Sequence, residues 1–195
     1  MTRNIISLEQ EVRDYLVGHS IQFQDFSYKP TTPDFGIFYG SETTMWLEVK
    51  EKRQRIKKIN WPATDTPEEY LFILDELTAR RLLLLAPYAG VIVRDNTTWR
   101  YTFISVLNLW LMPKLRVNRR TSDKHLKGKW LLDMRNGVIS RSFPGALKAF
   151  YEYAHNARQG FEMDRCVGRY VGETVNEGGE LRTEEMRLFD LLMTR

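Results

Sequence analysis

The chain is poor in the residues that staple or metallate small domains. It has one cysteine, Cys166, in 195 residues, so no intramolecular disulfide can form and no cysteine-built zinc site is available. Its three histidines, His19, His125 and His155, lack the spacing of metal ligands. Long apolar runs are missing too. The most apolar stretch, 71–93, is broken by Asp75, Glu76, Arg80 and Arg81, too many charges for a bilayer span. The opening M-T-R-N-I-I-S-L-E carries no apolar signal region. With the lone cysteine, this gives the expectation of a cytoplasmic protein with no membrane partner. No internal repeat or low-complexity segment is visible. The excess of one charge sign is small, a formal +4, a mild bias toward polyanions that many proteins share. What remains is a globular composition, 43% hydrophobic, in a length that suits one core or a core with an appendage.

The most informative stretch is 33–54, P-D-F-G-I-F-Y-G-S-E-T-T-M-W-L-E-V-K-E-K-R-Q. It reads as two strands, 35–39 and 43–49, joined by turn chemistry at Gly40, Ser41 and Glu42. Side chains alternate along a strand, so Met45, Leu47 and Val49 form an apolar face. Trp46, Glu48 and Lys50 share the other, and a tight hairpin brings Asp34 alongside them. Two carboxylates converging on one point repel unless a cation lies between them. Mg2+ takes such oxygen ligands together with water and phosphate. Lys50 adds a positive charge where a phosphodiester would be attacked.

Pro33-Asp34, then thirteen residues, then Glu48-Val49-Lys50 resembles the signature of the PD-(D/E)XK nuclease superfamily, which includes restriction endonucleases and Holliday-junction resolvases. The resemblance implies a restriction-endonuclease-like α/β fold: an αβββαβ core, a mixed central sheet flanked by helices, here with a C-terminal α+β extension. It implies a metal-dependent DNA endonuclease in which Asp34, Glu48 and Lys50 are catalytic. Mg2+ or Mn2+ would be held by Asp34, Glu48, the main-chain carbonyl of Val49 and Glu9. Glu9 occupies the place of a metal-site glutamate early in the first helix of resolvase-like members; Glu11 points to another side. As first-turn carboxylates, both also suit the helix dipole. The neighbouring carboxylates raise the lysine's pKa, so an electrostatic and positioning role for Lys50 is favoured over proton abstraction. The rivals are a DNA-binding or assembly module of the same fold that does not cut, and a nuclease acting on RNA.

The other elements follow in order. Ser7 is an N-cap with Gln10 placed for a capping box, and Leu8, Val12, Tyr15 and Leu16 make an apolar helical face. A strand is expected over 21–28. Thr66 and Pro67 open a helix expected to run to Leu85, with Pro87 ending it. Strands are expected over 90–94 and 99–106. Residues 130–139 read as a hairpin around Asn136-Gly137. Helices are expected over 143–156 and 183–193.

Two stretches concentrate positive charge. The first holds Lys52, Arg53, Gln54, Arg55, Lys57 and Lys58. The second holds Lys114, Arg116, Arg119, Arg120, Lys124, Lys127 and Lys129. The first leaves directly from the expected metal site, so both are assigned to a DNA-facing groove, with phosphate neutralisation as its job. The expected organisation is a nuclease core over 1–112 and, over 113–195, a basic loop and helical extension packed on the same domain. A homodimer is the symmetric arrangement suited to cutting both strands.

Overall fold

The computed structural model describes residues 6–39, 43–61, 64–120, 126–159 and 170–171. Its elements are α1 Leu8–Gly18, β1 Phe23–Asp25, β2 Phe35–Tyr39, β3 Thr43–Lys52, β4 Leu71–Asp75, α2 Glu76–Leu83, β5 Ala89–Asp95, β6 Arg100–Ser105, α3 Val106–Leu111, β7 Lys114–Arg120, β8 Leu126–Asp133, β9 Val138–Ser140 and α4 Phe143–Gln159. The expected helix on 183–193, the Gly40–Glu42 turn and Lys124 lie outside the described residues.

The main sheet has six strands in the order β1-β2-β3-β5-β6-β9. Among the described residues only β3 and β5 run parallel in it; the other neighbours are antiparallel. A parallel pair needs a crossover, and here it carries β4 and α2. One face of the sheet is covered by α1 and α4. Leu8, Val12 and Leu16 of α1 meet Phe35, Ile37, Met45, Leu47 and Val49, and Leu147, Phe150 and Ala154 of α4 close the same core. The other face, through Val91, Val93 and Ile104, packs on α2, α3 and part of a second sheet ordered β4-β8-β7. The result is the mixed central sheet flanked by helices that the motif implied. Its element order is αβββαβ with β4 inserted before α2.

Three expectations need correction. Leu71–Asp75 is a strand, not the start of a helix. Both of its faces are covered: Leu71 packs with Trp61, Leu115 and Leu131, while Phe72 and Leu74 pack toward α2, Trp130 and Leu132. A short run buried on both sides has no polar face, so its pattern fits a buried helix as well. Thr66-Pro67 opens a turn, in which the Pro67 carbonyl accepts both the Tyr70 and Leu71 amides, each at 2.9 Å. Residues 130–139 are not a hairpin either: β8 belongs to the second sheet, and β9 pairs with β6. Finally, the basic stretch read as a loop is largely the β7–β8 hairpin, with Arg119 opposite Lys127. Gly128 lets the Glu76 side chain lie against the hairpin, because a Cβ there would lie 1.8 Å from Glu76 Oε2 and would displace it.

Candidate active site

The pairing of β2 with β3 ends at Phe35 opposite Leu47, while β3 continues to Lys52 with β5 on its other side. Beyond Leu47 one edge of β3 therefore has no strand beside it among the described residues, and Asp34 fills the gap. Its Oδ2 accepts the Val49 amide at 2.8 Å. The even-numbered residues of β3 carry the ladder to β5: Trp46 N–H donates to the Tyr88 carbonyl at 2.8 Å, and the Lys52 carbonyl accepts from Asn96 N–H at 3.0 Å. By the alternation of a strand, the Val49 carbonyl turns toward the side on which Asp34 lies.

Glu48 and Lys50 share the face that the period-2 reading gave them. Lys50 Nζ lies 2.5 Å from Glu48 Oε1 and 3.8 Å from Asp34 Oδ2. Glu48 is buried, while the Lys50 side chain keeps about a third of its surface open. Burial, and after it the Glu48 charge, push the Asp34 carboxyl up to about 6 against the opposing pull of Lys50. Burial alone would lower Lys50, but Glu48 and Asp34 outweigh it and the lysine sits above its ordinary value. Its two carboxylate neighbours thus favour the ammonium form of Lys50. Two carboxylates facing one ammonium leave the site short of positive charge.

That shortage is what a divalent cation relieves. The donors on this side are two carboxylates and a main-chain carbonyl, all oxygen, which suits Mg2+ or Mn2+ with water completing the shell. Among the described residues no three His, Cys, Asp or Glu side chains converge tightly enough to enclose a metal by themselves. Glu9 stands at the edge of the group, where its charge raises both Asp34 and Lys50. Glu11 is turned away: it accepts from Tyr101 Oη at 2.7 Å and from Arg94 Nη1 at 2.7 Å.

The basic residues divide. Arg53, Gln54, Arg55 and Lys57 are exposed, and Lys58 is half-exposed. Arg53 pairs with Glu51 and Lys58 with Asp65. Trp61 packs with Leu115 and Leu131, and Ile56 and Val117 flank them, so the first basic stretch lies along the β7–β8 hairpin. There the Arg119 guanidinium covers the Trp61 ring, 4.6 Å from its centroid. Arg119 and Lys127, a cross-strand pair, are exposed beside it.

Lys52 is a correction. It is the next residue after Lys50 on the same face, but it is buried. Its ammonium lies 3.3 Å from Asp95 Oδ2 and donates to the carbonyls of Glu68 and Glu69 at 3.2 and 2.6 Å, so it cannot reach a phosphate. Arg116 is also committed, with Nε 2.8 Å from Glu76 Oε2. Lys129 is paired with Asp75, and Lys114 donates to the Trp110 carbonyl at 2.6 Å beneath the Trp130 ring. The side chain of Arg120 lies outside the described residues.

No family model matches the chain, and no curated protein does. Among solved structures it is similar to the Archaeoglobus fulgidus Holliday junction resolvase Hjc, at 18% identity and a TM-score of 0.37, over 65% of this chain and 93% of that one. It is also similar to a nuclease from a fusselovirus, at 8% identity and a TM-score of 0.38, over 76% of this chain and 88% of that one.

Proposed function

We propose that the chain is a metal-dependent endonuclease that hydrolyses phosphodiester bonds in DNA. The observation that carries this reading is the convergence of Asp34, Glu48 and Lys50 at the open end of the β2–β3 hairpin, with Asp34 held by the Val49 amide. Asp34, Glu48 and the Val49 carbonyl would hold Mg2+ or Mn2+, with Glu9 adding negative charge at the edge. When bound, the ion would supply Lewis-acid polarisation of the phosphate and acidify water. The chain's own part is electrostatic: Lys50, kept charged by its two neighbours, stabilises charge growing on the phosphoryl oxygens and positions the attacking water. The exposed cations Arg53, Arg55, Lys57, Arg119 and Lys127 neutralise flanking phosphates. A homodimer would present two such sites to the two strands of a duplex.

The test is purified protein with Mg2+ or Mn2+ on a panel of duplex, nicked, flap, four-way-junction and single-stranded DNA, with RNA as a control. Asp34→Ala, Glu48→Ala and Lys50→Ala should each lower cleavage by about 10²–10³ or more, with circular dichroism and most DNA affinity retained. Wild-type rates in any of the three would remove that residue from the site. Cleavage of RNA in preference to DNA would reassign the substrate. DNA binding without cleavage of any member of the panel would leave a non-cutting module.

A further inference from the structure

Behind the candidate site lies a second group of charges that the proposed chemistry does not use. Arg94, on β5, pairs in register with Glu51 on β3. Its side chain is 4% exposed, and its guanidinium reaches three groups. Nη1 donates to Glu11 Oε2 at 2.7 Å, and Nη2 donates to the Ile6 carbonyl at 2.7 Å and to Glu51 Oε1. Glu51 Oε1 also accepts the Leu8 amide at 2.8 Å, one of the open donors at the start of α1. The capping box read from the sequence is not what holds this turn. Ser7 Oγ accepts the Gln10 amide at 3.2 Å, but the Gln10 side chain is turned to Asp14 and Arg13.

The clamp therefore joins α1 to β3 at positions adjacent to the site on both sides. Leu8 precedes Glu9, and Glu51 follows Lys50. A planar fork with several donors in fixed directions holds two carboxylates and a carbonyl in one fixed arrangement; a lysine, a compact charge on a flexible stem, does not fix their relative positions in the same way. We propose that Arg94 is a positioning residue for the candidate site: by holding Glu51 and Glu11 it fixes the first turn of α1 against β3, and so sets where Glu9 stands relative to Asp34, Glu48 and Lys50. This rests on the nuclease reading of that site.

The experiment is a double-mutant cycle read by Mn2+ binding, followed by electron paramagnetic resonance on the full chain. Glu9→Gln should weaken binding by about tenfold, and Arg94→Lys by a comparable factor, the size expected when a group behind a metal ligand is lost. The double variant should bind no more weakly than Glu9→Gln alone, because Arg94 acts through Glu9. On DNA, Arg94→Lys should lower kcat and leave KM unchanged. If Arg94→Lys fails to fold, the variant Arg94→Met/Glu11→Gln/Glu51→Gln replaces it, since it leaves no unpaired charge buried and keeps an acceptor for the Leu8 amide. It should show the same loss and the same non-additivity. Losses that multiply, or a folded Arg94 variant that binds Mn2+ like wild type, would overturn the proposal while leaving the nuclease reading standing. A wild-type protein that binds no Mn2+ would overturn both.

Discussion

The open end of the β2–β3 hairpin and the Lys52–Asp95 seam between β3 and β5 are built on the same face of β3, two residues apart, yet they treat charge in opposite ways. At the hairpin end, Lys50 is half-exposed between two carboxylates, and Asp34 is pushed up to about 6. At the seam, Lys52 is buried with Asp95, and its remaining donors are taken by the Glu68 and Glu69 carbonyls. Asp95 Oδ1 takes the Thr97 amide and hydroxyl at 2.8 and 2.6 Å. Burial would raise Asp95, but the Thr97 bonds and Lys52 outweigh it and hold it below its ordinary value. The seam pairs its two buried charges with each other. The hairpin end carries one more negative than positive charge and is open. A shared strand face does not make a shared role; the neighbours decide it.

The largest effect that would break this comparison is on stability. Lys52→Met leaves Asp95 buried without its ion partner and should lower unfolding free energy by about 3–5 kcal/mol in urea denaturation. Lys52→Met/Asp95→Asn, which keeps an acceptor for Thr97, should recover most of that loss. Lys50→Met should cost much less and act on cleavage. Equal destabilisation by the two single variants would mean that the seam and the hairpin end are not distinct.

The reach of the sequence follows the same division. Asp34, Glu48 and Lys50 were legible because a hairpin fixes neighbours by local alternation alone. For Lys52 the same alternation gives only the face it shares with Glu48 and Lys50, which carries no sign of its burial. What could not be read was the partner, because Asp95 lies 43 positions away on a parallel strand. Strand β4 was missed for the same reason. Its pairing with Leu131 and Trp130 is non-local, and L-F-I-L-D has no polar face to reveal a period. Glu51 and Arg94 escaped notice because their function is a contact between α1, β3 and β5, which no single stretch contains.

A second effect concerns Asp34. Its folded-state pKa lies above the ordinary value of 3.8, so its ionised form costs the native state stability. The cost is absent below about pH 4, where the carboxyl is protonated folded or unfolded. It grows through the window up to about 6 and is complete above it. Asp34→Asn, whose Oδ1 can still accept the Val49 amide, should therefore be more stable than wild type at pH 7.5 by up to about 3 kcal/mol. The advantage should vanish by pH 4, while cleavage is lost throughout. A variant less stable than wild type at neutral pH would mean that the Lys50 pair outweighs burial and repulsion, and the hairpin end would then resemble the seam.

The smallest effect sharpens the comparison on the basic surface, where the same distinction between committed and available charge recurs. Arg116 is held by Glu76, whereas Arg119 and Lys127 are exposed beside Trp61. If the available cations neutralise DNA phosphates, log affinity falls linearly with log salt, with a slope of about −0.9 per phosphate on B-DNA. Arg119→Ala/Lys127→Ala should make that slope shallower by up to about two units and weaken unrelated sequences alike. Arg116→Ala should leave the slope alone and instead lower stability, because it strips a partner from the largely buried Glu76 carboxylate. A slope unchanged in the double variant, or reduced by Arg116→Ala, would mean that the ion pairs of the isolated chain rearrange on DNA, and the groove would then have to be built from Arg53, Arg55 and Lys57 with cations released from their partners.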